Sequence, residues 1–284
     1  MVYRKVVTLY NLDNNRCLAG INTDRTSIVG QRRRNSSCRG KIRKFSAKSR
    51  KRLKLKLDLT KFDPAASFFL TLKFEPYETA ERSTKGLKSF LDWLKYRFPG
   101  VNGIYSFEFD AAGERHIHIL FQFAEPIAES DFCSVHQAIV EKWGLVTHTA
   151  AGAHLEKVRH MKKTKDYLSK VGYQRIVPEG YKMGRFWGTF GDLPMMPSVE
   201  YEIPEENIDS FEEQIETQLA EEGSSAGFAF VIARYASNTT VWLRDKNRFR
   251  QLLRTLRAKP SGSSGVPLIS PTKEKSDSEI SDSN

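Results

Sequence analysis

The chain has few cysteines, no long apolar run and, over long stretches, charge of only one sign. Three cysteines, Cys17, Cys38 and Cys133, are scattered through 284 residues and form no CxxC pair. That excludes a disulfide framework and a cysteine zinc site, and it fits a reducing cytoplasm. No apolar stretch nears the roughly 20 residues that span a bilayer. The opening "MVYRKVVTLYNLDNNRC" lacks the apolar core and small-residue cleavage site of a secretory signal. No GxxxxGK[ST] motif is present, so no fused nucleotide-driven motor is expected. Internal repeats are lacking too.

Acidic residues are missing from Arg32 to Lys56, "RRRNSSCRGKIRKFSAKSRKRLKLK". Lysine and arginine are missing from residues 200–222, "EYEIPEENIDSFEEQIETQLAEE". A net charge of +11 makes an anionic partner the expectation, nucleic acid or an anionic membrane surface. The basic run reads either as a solvated arm or as a phosphate contact, with Arg43, Lys44 and Arg50 as candidates. We expect five regions: a basic N-terminal region (1–60), a catalytic domain (61–195), an acidic linker or surface helix (196–225), a basic helical segment (226–259) and a disordered Ser/Gly/Pro-rich tail (260–284).

Between about 65 and 190 the periodicities sharpen. "SFFLTLKFE" (67–75) alternates, with Phe68, Leu70, Leu72 and Phe74 on one face. Leu87, Phe90, Leu91, Leu94 and Phe98 recur at helical spacing, stopped by Pro99-Gly100. Two strands, 104–110 and 115–123, flank "AAGE". A second helix follows, capped by Ser130 or Asp131, turned inward at Phe132, Val135, Ile139 and Trp143, and closed by Gly144. A strand at 153–158 and a helix over "KTKDYLSKVGYQ" complete the pattern. The order β-α-β-β-α-β predicts an α+β, ferredoxin-like (RRM-like) antiparallel sheet with helices on one face and the other open.

On that open face a site is expected. His116 and His118 are two apart in "RHIHIL", so both project to one side. A loop Ala111-Ala112-Gly113 with a left-handed glycine would pair Glu108 with His116; a five-residue loop would pair it with His118. Either puts Glu108 beside the histidines and Phe107, Phe109, Ile117 and Ile119 in the core. Two imidazoles and a carboxylate suit a divalent metal. His-x-His is equally the pattern of ordinary surface histidines. Tyr167 and Lys170, three apart in "DYLSK", share a helix face. A tyrosine oxygen can attack phosphorus and divide strand cleavage into two steps. Lys162, Lys163 and Lys165 suit the phosphate backbone nearby, and Arg185 in "GRFWG" adds a cation, while Phe186 and Trp187 read either as base-stacking or as core.

Taken in order, "FFLTLKF", "EFDAAGERHIHIL", "KDYLSK" and "GRFWG" resemble the rolling-circle replication initiators of the HUH endonuclease superfamily, in particular replication-associated proteins of bacterial single-stranded DNA phages and plasmids. The resemblance spans about residues 41–190. It implies that His116 and His118, with Glu108 as third ligand, hold Mg²⁺ or Mn²⁺. It implies that Tyr167 is the nucleophile that becomes joined to the 5′ phosphate of nicked origin DNA, with Lys170 at its side. Host helicase and DNA polymerase would be the partners, in the bacterial cytoplasm. Tyr173, six residues on, cannot share Tyr167's helix face, so a single-tyrosine enzyme is expected. The alternatives are a non-catalytic single-strand-binding module on the same sheet, or a relaxase or transposase with the same chemistry.

Overall fold

The computed structural model describes residues 3–12, 16–25, 42–75, 79–109, 112–148, 152–170, 176–223 and 238–260. The chain is α+β and divides into two compact units. One is continuous, Gly30–Met196; the other is discontinuous, built from Met1–Val29 and Pro197–Asn284. These boundaries differ from the expected ones. The basic N-terminal 60 residues are shared between the units, and the segments after residue 196 return to the N-terminal strands.

In the discontinuous unit, β1 (Tyr3–Asn11) and β2 (Cys17–Arg25) form the middle of an antiparallel sheet. It is flanked by β8 (Ser198–Ile203) beside β1 and β9 (Asn238–Leu243) beside β2, with the short β10 (Lys259–Pro260) beyond β8. The acidic segment, expected as a linker or a surface helix, is for the most part a helix. Its start, 200–203, belongs to β8, and most of the rest is α5 (Ile208–Glu221), whose Phe211, Ile215 and Leu219 recur at helical spacing and are fully buried. They pack with Val7, Leu9, Cys17 and Ala19 of the sheet and with Phe249, Leu252 and Leu253 of α6 (Lys246–Thr255). α6 is the expected basic amphipathic helix, started by Asp245, whose carboxylate accepts from the backbone N–H groups of Asn247 and Arg248. Of the expected disordered tail (260–284), Pro260 falls in β10 and residues 261–284 lie outside the described ones.

The continuous unit carries five strands in the order β6-β3-β5-β4-β7, all neighbours antiparallel. β3 is Ser67–Lys73, β4 Asn102–Phe109, β5 Arg115–Gln122, β6 Ala153–Lys157 and β7 Trp187–Phe190. α2 (Ala80–Arg97) connects β3 to β4 and α3 (Glu129–Thr147) connects β5 to β6, so two β-α-β connections interleave. Phe68, Leu70, Leu72, Phe107, Ile117 and Ile119 line the face beneath these helices, against Leu87, Phe90, Leu94, Ile139 and Trp143. Each of those residues is at most 4 % exposed, which makes this face the core. α3 differs from its expected ends. It starts after Ala128 with no side-chain cap and runs past Gly144 to Thr147, where His148 turns left-handed (φ 61°).

The opposite face is not open along its length. α1 (Ala47–Leu59), formed by the basic run, and α4 (Met161–Leu168) lie on it. α1 buries Leu53, Leu57 and Leu59 and leaves Lys48, Arg50, Lys51, Arg52 and Lys54 in solvent. The expected arm is therefore, in its second half, an amphipathic helix. Trp187 Nε1 donates to Ser49 Oγ on α1 (3.1 Å), and Lys165 Nζ on α4 donates to the Thr60 carbonyl after α1 (3.2 Å). Such ties fix both helices over the sheet.

Candidate functional site

Register decides which side chains meet on the face that α1 and α4 partly cover. β4 and β5 pair Phe109 with Arg115 and Glu108 with His116, and Gly113 in the connection is left-handed (φ 82°). That is the register expected of the shorter loop; Asp110 and Ala111 lie outside the described residues. One row of the sheet thus reads Lys73, His116, Glu108 across β3, β5 and β4. The next reads His154, Thr71, His118, Ser106, Trp187 across β6, β3, β5, β4 and β7.

His118 and Glu108 are nearly dry, 5 % and 3 % exposed. His118 Nε2 stands 3.1 Å from Glu108 Oε2, and Nδ1 stands 3.1 Å from Thr71 Oγ1. A carboxylate only accepts, so Nε2 carries the proton; in the neutral ring Nδ1 then accepts from the Thr71 hydroxyl. The Phe69 ring lies parallel to the imidazole with centroids 5.5 Å apart, so the ring is held on both edges and one face. Burying a carboxylate is costly unless it is compensated. Here the compensation is the His118 N–H together with Lys170, whose Nζ lies 3.8 Å from Glu108 Oε1.

Tyr167 arrives from α4, nearly 50 residues further along the chain. Its ring meets His118 edge-on, centroids 5.2 Å apart, and Phe69 likewise at 5.7 Å. Leu168, next in sequence, is fully buried and anchors the helix, while Tyr167 stays 39 % exposed. α4 ends at Leu168, shorter than expected, so Lys170 is not on a helix face. A final tight turn, with the Lys170 N–H donating to the Tyr167 carbonyl (3.2 Å), folds it back, and its Nζ sits 3.8 Å from the centre of the Tyr167 ring. Lys170 thereby bridges the tyrosine ring and the buried carboxylate. Tyr173 lies outside the described residues.

No family model, curated protein or solved structure matches the chain.

Of the expected metal ligands, His118 and Glu108 face each other and His116 is half-buried directly across from Glu108. Among the described residues no group of three His, Cys, Asp or Glu side chains is gathered to hold a metal ion. The donor chemistry suits a divalent cation, but the ligand set is not assembled: both His118 nitrogens face protein partners. The expected phosphate contacts separate into two kinds. Arg43, Lys44, Arg50, Lys162, Lys163 and Arg185 are exposed. Lys165 is half-buried, held by the Thr60 carbonyl and lying 5.6 Å from the centre of the Phe62 ring, so it serves helix packing. Phe186 is core, 3 % exposed and packed on Phe45 with centroids 5.2 Å apart; Trp187 is half-buried and tied to Ser49. No helix among the described residues is long and apolar enough to cross a membrane.

Thr71 was missed by sequence reasoning. Its signal was present in the alternation of "SFFLTLK", which puts it on the face opposite the core, but only the β3–β5 register brings it to His118.

Proposed function

We propose that this chain is an HUH-type single-strand DNA nickase and strand transferase that initiates rolling-circle replication, with the β3–β6 sheet read as ferredoxin-like. The observation that carries this reading is the meeting of Tyr167, Lys170, Glu108 and His118 around one exposed tyrosine ring. A tyrosine, a lysine, a carboxylate and an imidazole drawn from three separate elements are what tyrosine attack on a phosphodiester requires.

In the proposed reaction the Tyr167 oxygen attacks the scissile phosphorus. A Tyr–O–P bond forms and the P–O3′ bond breaks; the phenol proton is passed through solvent to the departing 3′ oxygen, which leaves as a hydroxyl. One phosphoester replaces another, so the step is close to thermoneutral and reverses without ATP. Lys170, already against the ring, meets the charge that grows on the phosphoryl oxygens. Glu108 and Thr71 hold the His118 ring in one orientation. To hold Mg²⁺ or Mn²⁺ together with Glu108 and His116, His118 would have to exchange its Nε2 contact with Glu108 for the ion, which would supply further charge neutralisation at the phosphate. The exposed cations of α1, together with Lys162, Lys163 and Arg185, would track the strand. Single-stranded origin DNA, host helicase and host polymerase are the proposed partners in the cytoplasm.

One observation favours the second reading, a non-catalytic single-strand-binding module: both nitrogens of His118 are engaged within the protein. A nicking assay on labelled single-stranded origin DNA, with Mn²⁺ or EDTA, decides between them. A metal-dependent covalent adduct that Tyr167→Phe cannot form supports the nickase. Binding without adduct, on the proper origin and with metal, sinks it.

A further inference from the structure

Arg115 begins β5 and points away from Glu108 and His118, into the core-side face beneath α2. Only 5 % of it is exposed. Its Nη1 donates to Ser83 Oγ and to the Tyr181 hydroxyl (2.9 Å), and the guanidinium lies 3.6 Å from the centre of the Phe107 ring. All of these partners are neutral. Nε has no acceptor, and among the described residues no carboxylate lies within ion-pair distance. Burial accordingly holds the guanidinium below its ordinary pKa. A whole positive charge set among neutral groups is expensive to keep dry unless an anion joins it.

Two cavities reach this side chain. One of about 1000 Å³ lies between the start of α2, the β4–β5 connection and residues 178–184; another of about 490 Å³ runs along α2. The larger is of the size that small-molecule sites occupy. Its solvent side carries four carboxylates, Glu75, Glu81, Glu114 and Glu179, against Lys85 and Lys182, and Glu81 is already paired with Lys85 (2.9 Å). A polyanion laid along such a rim is repelled, so no more than one terminal phosphate unit enters. A compact ligand with one anionic group for Arg115 and amino groups for the carboxylates is accepted.

We propose that this cavity binds a single nucleoside monophosphate unit, its phosphate on Arg115 and the exocyclic amino group of its base at the glutamate rim. The unit is either a free nucleotide or the phosphorylated end of a strand, which share this chemistry. Binding here is independent of nicking, because Arg115 and Glu108 project from opposite faces of the sheet.

The test is a titration of the ¹⁵N-labelled full chain, following the Arg115 Nε–H resonance, with dAMP, dTMP and a 5′-phosphorylated trinucleotide. A saturable shift with dAMP assigns the free nucleotide; a shift with the trinucleotide alone assigns the strand end. No shift with either at millimolar concentration overturns the proposal. dTMP, which lacks an exocyclic amine, is expected to bind several-fold more weakly than dAMP, and equal binding overturns the role given to the rim. By equilibrium dialysis, Arg115→Gln is expected to weaken dAMP binding by at least about tenfold. Because that variant removes a buried group, Glu179→Gln accompanies it; it keeps the fold and narrows the dAMP-to-dTMP ratio.

Discussion

Replacing Thr71 with valine removes one hydroxyl and almost no volume. The hydroxyl is half-buried and sits 3.1 Å from His118 Nδ1, whose other nitrogen faces Glu108. With valine, Nδ1 is left without its partner beneath α4, where water cannot freely replace it. A lost hydrogen bond of this kind, plus the cost of an unsatisfied buried acceptor, comes to about 1–2 kcal/mol. In a unit of this size that lowers Tm by about 3–6 °C. Thr71→Ser, which keeps the oxygen, is expected to recover most of the loss. The assay is tryptophan fluorescence in a Trp242→Phe background, so that only Trp93, Trp143 and Trp187 of the continuous unit report. A double-mutant cycle with His118→Ala isolates a coupling of about 1 kcal/mol. If Thr71→Val unfolds with the wild type and the coupling is zero, the hydroxyl does not hold the ring. On the proposed nickase, Thr71→Val is also expected to slow adduct formation about 10- to 100-fold, the usual cost of freeing an orienting contact of this type.

Four further outcomes are expected. Burial, aided by the Glu222 carboxylate, pushes the Cys17 thiol up to about 12. In a Cys38→Ser chain at pH 8, iodoacetamide should therefore label exposed Cys133 rapidly and Cys17 only on unfolding; equal rates would refute its burial. Because the folded thiol titrates above the unfolded one, its contribution to stability is complete below pH about 9 and falls as pH rises toward 12, which alkaline urea melts of Cys17→Ala against wild type check. Lys5 is buried against Glu212 in the discontinuous unit, so Lys5→Met alone is expected to cost about 3–5 kcal/mol in urea unfolding, and Lys5→Met with Glu212→Leu to restore most of it. Gly191 follows β7 at φ 63°, where an added Cβ would collide with the Val101 carbonyl; Gly191→Ala should destabilise by about 1–3 kcal/mol, and a neutral result in thermal melts would refute the tight approach of β7.

The sheet of the continuous unit was legible because its apolar residues alternate cleanly and its turn chemistry fixes register. Phe107 and Ile117 in the core force Glu108 and His116 to the other side, and Gly113 supplies the turn. Tyr167 could be named from its motif, but its approach to His118 depends on Leu168 anchoring α4, a packing fact that no spacing reveals. α1 was hidden by its own charge: Leu53, Leu57 and Leu59 are the only residues it buries among a crowd of lysines and arginines. The N-terminal strands were masked for a related reason. Lys5 points inward, to Glu212, and small Ala19 stands where a large apolar residue would have shown the alternation. Their partners, β8 and β9, are far away in sequence, and pairing at that distance leaves no local trace.

The layout of the discontinuous unit imposes an order on its synthesis. β1 and β2, the middle of its sheet, leave the ribosome first, and 172 residues, 26 to 197, separate them from β8. At the usual pace of translation the hairpin waits roughly 10–35 s with both outer edges unpaired and its apolar face without α5 or α6. The continuous unit is made wholly within that pause and has time to close before the strands that complete its neighbour exist. A nascent chain stalled near residue 197 would thus present a finished domain tethered to two bare strands, and those strands are where a chaperone would find its first foothold.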